Sequence, residues 1–310
     1  MIPDNQTAAA RLRAVLAAGR FVVTCELECP RNASAANVER QARGYAPYVD
    51  AVNCTDNSAA IVRMSPVAAA AIVARTGLTP LVQLTCRDRN RIALQSDILG
   101  AVAVGAAGIV AMTGDPPGTG NHPDAKTVFD ITSLELMRVA RGLREGHFMS
   151  GDPVRPAPDL LVGGVENPAE GERSVSRLAA KVEAGAELIQ TQITFDVEAF
   201  ARWMEQVRAA GLHERVRILA GIAPVRRPSI ARYLHEHVPG ISVPAPTLAR
   251  LESAANPEAE GVRVAAEVLA AVRGIPGVAG VHLMTFGWVE GVARVVQAAG
   301  IERTPAQGVD

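Results

Sequence analysis

The chain has 310 residues, room for one large barrel or two small domains. Hydrophobic residues make up 48% of it but aromatic ones only 4%, so the core must be Ala, Val, Leu and Ile, which suits a parallel sheet wrapped in alanine-rich helices. A net charge of −1 without an acidic or basic block gives nucleic-acid binding no electrostatic support, and no stretch approaches the roughly 20 apolar residues of a membrane span.

Residues 1–20 read as an amphipathic helix and lack the long apolar stretch of a signal peptide, so a cytoplasmic protein is expected. Cys25, Cys29, Cys54 and Cys86 show no CxxC spacing and lie in or beside apolar runs, as reduced thiols near a core would. The first β-branched run is 21–27 (FVVTCEL), ending among Glu26, Glu28 and Pro30. Ser34 is placed to cap a helix over 35–45. The second run, 48–55 (YVDAVNCT), is followed by a helix over 62–75. The third, 80–86 (PLVQLTC), is followed by the charged turn Arg87-Asp88-Arg89-Asn90-Arg91 and a helix over 92–103.

The fourth run, 108–117 (GIVAMTGDPP), goes from four apolar residues straight into Thr113, Gly114, Asp115 and two prolines, the mark of a buried strand ending in a sharp loop. A Gly/Pro-rich stretch over 118–130 is long enough for a lid or binding loop, and Thr132 or Ser133 starts a helix to 143. The fifth run, 159–165 (DLLVGGV), ends in Glu166-Asn167-Pro168, and the next helix carries Arg177 and Lys181. The sixth, 187–193 (ELIQTQI), precedes a helix over 197–210. The seventh, 216–222 (VRILAGI), precedes helical stretches over 229–237, 246–254 and 257–273. The eighth, 278–286 (VAGVHLMTF), precedes a last helix over 289–299.

Eight strands alternating with helices make an α/β protein, a single-domain (β/α)8 TIM barrel over 1–310 with an added N-terminal helix. A doubly wound sheet is the weaker alternative, since no GxGxxG follows the first strand. In a barrel the carboxyl ends of the strands meet at one mouth. That mouth would hold Glu26 and Glu28, Asn53, Thr55 and Asp56, Gln83 with Arg87 and Asp88, Thr113 and Asp115, Asn167, Gln192, and His282 or Thr285. It has acids and amides but no GxSxG nucleophile and no HExxH pair, so no metal site is assigned.

Two readings stand for each candidate. Glu26, flanked by Cys25 and Leu27, is a desolvated general acid or a structural carboxylate paired with a cation such as Arg31. Glu28 shares its side of the strand if the strand runs that far, and is otherwise rim. Gln190 and Gln192 alternate onto one face and either recognise a heteroaromatic ring or form a polar layer. Asp115 is a reacting-site acid or a turn aspartate before proline. Lys181, one of only two lysines with Lys126, is a phosphate contact or an exposed helix residue.

In order along the chain, TCELECPR, VDAVNCTDN, LVQLTCRDRNRIALQSDILG, AMTGDPPGTG, LLVGGVENP, KVEAGAELIQTQITFD, ILAGIAPV and GVHLMTFG each fall at or after a strand. This set, spanning about 21–301, resembles the methylenetetrahydrofolate reductases. The resemblance implies a flavin (FAD) barrel in which NADH or NADPH reduces the flavin, and the flavin reduces 5,10-methylenetetrahydrofolate to 5-methyltetrahydrofolate. It implies Glu26 as the general acid that protonates folate N10 and opens the ring to an iminium. It implies Asp115 as the charge beside flavin and folate, and Gln192 as the pterin contact. The flavin would lie among Asn53, Thr55, Gln83, Thr113, Gly114, Asp115, Asn167 and Arg177, with Lys181 on its phosphate.

The chain departs from the family pattern. Thr113 stands where arginine is common, Gln83 replaces a histidine, GGVENP replaces a Tyr-Pro-Glu-x-His segment, and Ala180 replaces a basic residue. Trp288 falls near a substrate-binding arginine and Ile230 near a folate-contacting glutamine. Arg87, Arg89, Arg91 and Arg177 are candidates to replace the lost phosphate contacts. Two further readings follow: a reductase of the same fold without flavin, or a folate-binding subunit that takes electrons from a partner protein. A homo-oligomer is compatible with either.

Overall fold

A computed structural model describes residues 5–301, and in it the eight runs close into one barrel of parallel strands in chain order. The strands are β1 (Val22–Leu27), β2 (Ala51–Cys54), β3 (Thr79–Thr85), β4 (Gly108–Met112), β5 (Leu161–Glu166), β6 (Leu188–Ile193), β7 (Arg217–Ile222) and β8 (Val278–Leu283). The helices are α1 (Asn5–Ala17), α2 (Ala35–Tyr45), α3 (Pro66–Arg75), α4 (Arg91–Ala103), α5 (Ser133–Arg144), α6 (Glu172–Glu183), α7 (Val197–Ala209), α8 (Leu212–Arg215), α9 (Pro228–His237), α10 (Ala245–Ser253), α11 (Pro257–Arg273) and α12 (Val289–Ala298). The barrel and its alternation are as expected from the sequence. The parts of the expected domain and first helix that fall on 1–4 and 302–310 lie outside the described residues.

Strand alternation divides the core in two. Val23, Cys25 and Leu27 point outward and pack with Val38, Ala42 and Tyr45 of α2 in the layer between strands and helices. Val22, Ala51, Leu81, Leu161, Leu188 and Leu219 point inward and meet Ala8, Leu12 and Leu16 of α1, spaced four apart on one face. The first helix therefore plugs the amino-terminal end of the barrel, each buried leucine stabilising by about 2 kcal/mol. Arg13 locks it there, donating to Glu187 at 2.9 Å and to the Leu160 carbonyl at 2.7 Å. All four cysteines are buried and none is in a disulfide.

Local signals explain the boundaries. Ser34 accepts from the Asn37 amide at 3.2 Å, and Thr132 with Glu135 forms a reciprocal cap on α5. The third helix starts at Pro66 and not at 62. Proline suits the first helical position, and the Val62 and Arg63 amides are taken instead by the side chains of Asn121 and Asn57. The short α8 is an addition to the expected pattern: Gly211, left-handed at φ 66°, ends α7 and the chain makes one more turn before β7. Gly114 is demanded twice over, by φ 93° and because a Cβ there would come within 3.0 Å of the Arg87 and Thr85 Cβ atoms. That turn delivers the loop after β4 to the mouth.

Candidate active site

The mouth has a polar floor. Thr24 (β1) pairs in register with His282 (β8), and their side chains touch, Oγ1 to Nδ1, at 2.8 Å. Across the barrel Asn53 (β2) and Gln190 (β6) exchange amide hydrogen bonds at 2.6 and 3.2 Å, and the Gln190 amide reaches Thr24 Oγ1 at 3.5 Å. All four side chains are buried, and burial pushes the pKa of His282 down to about 3, so its ring is neutral. Satisfying one another in this way lets four polar groups occupy a barrel interior.

Above the floor opens a cavity of about 300 Å³ with Met112, Val165 and Met284 as apolar wall and Glu26, Gln83, Glu166 and Gln192 among its polar lining. Glu26 is one inward position above Thr24. Its carboxylate accepts from Gln83 Nε2 at 3.3 Å, and no described cation pairs with it. Burial pushes its pKa from an ordinary 4.5 up to about 6; the Gln83 hydrogen bond opposes this and the charge of Glu28 adds to it. Of the two readings of Glu26, the pairing with Arg31 is not the one found among the described residues. Glu28 follows its second reading: β1 ends at Leu27, and Glu28 turns away to an ion pair with Arg63 at 2.5 Å, lining a separate polar recess.

The opposite wall carries a second carboxylate. Glu166, at the end of β5, is buried and receives Arg177 at 2.7 Å and Lys181 at 2.6 Å, and the Lys181 ammonium also reaches the Val165 carbonyl. Arg177 and Lys181 are four apart on α6 and so share a face. That spacing after a strand-end glutamate was the signal available in the sequence for this triad, and Glu166 is the lining residue that sequence reasoning passed over. Arg177 also holds Glu170 at 2.6 Å.

Gln192 is half-buried at the cavity edge, with Gln190 below it, as alternation predicts. The β6–β7 register slips between Gln190 and Ile193, and the Gly221 amide bonds the Thr191 hydroxyl at 2.9 Å. Such an irregularity re-aims the side chain that follows. Asn167 also lines the cavity. Gly240, at φ 84°, lets the chain pass beside it, since a Cβ there would fall 2.1 Å from Asn167 Nδ2.

The structure therefore gathers Glu26, Gln83, Asn167, Arg177, Lys181 and Gln192 around one space. Asn53 lies in the floor, and Thr55 is buried behind it, accepting from the Cys29 amide at 3.1 Å. Thr113 and Asp115 are exposed on the rim beside Gly114. Thr113 bonds Ser133 at 3.3 Å, and Arg87 donates to the Asp115 carbonyl at 3.2 Å. The arginines suggested for phosphate are each engaged with a carboxylate: Arg87 with Asp88, Arg89 with buried Asp56 and with Asp97, and Arg91 with Asp130. The stretch 118–130 folds back, its Val128 and Phe129 amides bonding the Arg87 and Cys86 carbonyls at 2.8 and 3.1 Å. No described helix is long and apolar enough to cross a membrane.

A family model described as methylenetetrahydrofolate reductase matches residues 11–300. Methylenetetrahydrofolate reductase 2 of Schizosaccharomyces pombe is 27% identical over 184 residues, 59% of this chain and 28% of that protein. The 5,10-methylenetetrahydrofolate reductase of Pectobacterium carotovorum subsp. carotovorum is 32% identical over 152 residues, 49% of this chain and 45% of that one. The matched region thus spans less than half the length of these relatives. Among solved structures, a Clostridium thermocellum protein that binds two copies of 5-methyl-5,6,7,8-tetrahydrofolic acid superposes with a TM-score of 0.64 at 14% identity, covering 94% of this chain and 99% of that one. At that identity the likeness speaks to the fold.

Proposed function

The chain belongs to the methylenetetrahydrofolate reductase family, and from that premise we propose that it reduces 5,10-methylenetetrahydrofolate to 5-methyltetrahydrofolate with hydride from a reduced nicotinamide. The observation that carries the reading is Glu26, a carboxyl with its pKa raised to about 6 and no cation beside it, at the base of a cavity with room for a ring system. The chemistry needs an acid that is still protonated near neutral pH. Glu26 gives its proton to N10 of the folate, the five-membered ring opens, and the iminium so formed accepts hydride at the methylene carbon. Gln83 holds the carboxyl in place. Gln192 pairs with the pterin edge, and Asp115 adds negative charge near the cation.

The family implies a flavin, and its fit here is divided. Met112, Val165 and Met284 with the amides of Gln83, Asn167 and Gln192 suit a flat heteroaromatic ring. A diphosphate is suited less, because Arg177 and Lys181 are closed on Glu166, and Arg87, Arg89 and Arg91 on aspartates. A co-substrate that comes and goes needs only micromolar to millimolar affinity, whereas a resident dinucleotide needs its phosphates held. We therefore favour direct hydride transfer from the nicotinamide to the folate. The second reading, a bound flavin relaying the hydride, is favoured by the place of Lys181 at the mouth. In it Gln83, Asn167, Arg177 and Lys181 line the cofactor's cavity, Thr113, Gly114 and Asp115 stand at its rim, and buried Asn53 and Thr55 support it from beneath.

The test is anaerobic incubation with 5,10-methylenetetrahydrofolate and NADH or NADPH, following nicotinamide oxidation and methyl-folate formation, with the visible spectrum of the purified protein taken first. Turnover by a colourless protein is expected. A flavin spectrum that bleaches on adding nicotinamide establishes the second reading. Folate binding without nicotinamide oxidation under any of these conditions refutes both, and leaves a binding subunit served by another protein.

A further inference from the structure

The floor beneath Glu26 holds a directional hydrogen-bond chain. Gln190 Nε2 donates to Asn53 Oδ1 at 3.2 Å and reaches Thr24 Oγ1 at 3.5 Å, so the Thr24 oxygen is on the accepting side of that contact. The single Thr24 hydroxyl proton then has two places to go: His282 Nδ1 at 2.8 Å, or the Val281 carbonyl at 3.4 Å. A hydroxyl hydrogen bond has its usual length between about 2.5 and 3.0 Å, so the imidazole nitrogen at 2.8 Å is the better acceptor of the two. Nδ1 is then an acceptor, and a neutral imidazole with an accepting Nδ1 carries its proton on Nε2. Among the described residues only Nδ1 of the ring has a hydrogen-bond partner, and His282 lines the cavity.

We propose that Thr24 fixes the tautomer of His282 so that the cavity presents a permanent Nε2–H donor, one layer below Glu26, to a carbonyl oxygen or unprotonated ring nitrogen of the bound heteroaromatic ring. The ligand end of this inference rests on the folate reading, while the tautomer does not. His282 is a binding residue that stays uncharged across the working pH range, so it cannot compete with Glu26 as the acid. Thr24 is a positioning residue that acts through it. A ligand presenting a donor at this point would meet another donor, which makes the pair a filter on the ring's protonation pattern.

Long-range proton–nitrogen NMR on the full chain labelled at histidine tests this without any ligand. The wild type is expected to show His282 protonated at Nε2. Thr24→Val, which removes the hydroxyl donor to Nδ1, is expected to shift the population toward Nδ1–H, and Thr24→Ser to return the wild-type pattern. Binding of 5-methyltetrahydrofolate should weaken about ten-fold in Thr24→Val, the loss of one hydrogen bond, and recover in Thr24→Ser. An Nδ1–H signal in the wild type overturns the proposal even if no variant folds. Unchanged folate affinity in a Thr24→Val protein whose tautomer has switched overturns the assigned role of His282. A wild type with the Nε2–H signal that binds no folate counts against the folate reading alone.

Discussion

Two glutamates face each other across the same cavity and live in opposite electrostatic worlds. Glu166 at the end of β5 is buried between Arg177 and Lys181, whereas Glu26 on β1 has, among the described residues, only the neutral amide of Gln83 as a hydrogen-bond partner. A carboxylate clamped by two cations is an anchor for its wall. A carboxylate that is desolvated without a cation gains little by ionising, and becomes a proton store. Residue type and strand-end position are the same, so it is the neighbours, four residues apart on α6 in one case and absent in the other, that separate structure from chemistry.

The sharpest way to break this comparison is Glu26→Gln, which removes the proton and keeps the shape. Folate reduction should fall by about 10²–10⁴-fold, the usual worth of a general acid, while the circular-dichroism spectrum stays that of the wild type. Full activity in this variant would sink the acid assignment. Glu166→Ala attacks the other wall and should be felt in stability. It leaves Lys181 without its buried counter-charge while the more exposed Arg177 keeps Glu170, and urea unfolding should show a loss of about 2–3 kcal/mol. A loss below about 1 kcal/mol would mean that the triad is a solvated surface contact.

A third expectation concerns pH. The folded pKa of Glu26, about 6, lies above its ordinary value of 4.5, so the folded state holds the proton more tightly than the unfolded chain. The stability from Glu26 is then fully present below about pH 4.5 and lost as pH rises through about 6, a change of about 2 kcal/mol. Glu26→Gln should remove it, so the variant gains on the wild type between pH 4 and 7.5 in denaturant titrations. Parallel pH–stability curves would contradict the raised pKa. The smallest effect is expected at the exposed rim, where water screens charge. Asp115→Asn should slow turnover by about ten-fold or less. A loss as large as that of Glu26→Gln would show that the loop after β4 closes over the bound substrate and carries Asp115 inward.

The barrel was legible because eight apolar runs ending in polar turns leave few other arrangements, and because caps such as Ser34 and Thr132 declare themselves locally. The expected helix from 62 begins only at Pro66, because the Val62 and Arg63 amides are taken by the side chains of distant Asn121 and nearby Asn57. Glu26 and Gln192 could be found from strand position. The pairing of Lys181 and Arg177 with Glu166 could not be read from composition, because a lone lysine looks the same whether it awaits a phosphate or already holds a carboxylate. The direction in which Glu28 turns depended on one residue of strand length, which the sequence leaves undetermined. The Thr24–His282 contact joins opposite ends of the chain and exists only because the barrel closes β8 onto β1.

The most direct test of the central claim is the pH dependence of 5,10-methylenetetrahydrofolate reduction between pH 5 and 9, measured as kcat/KM for the folate in the wild type and in Glu26→Gln. The wild type should lose activity tenfold per pH unit above about 6, and the residual rate of the variant should lack that limb. A wild-type rate that stays level through this range, or a variant that keeps the same limb, would contradict the assignment of Glu26 as the acid.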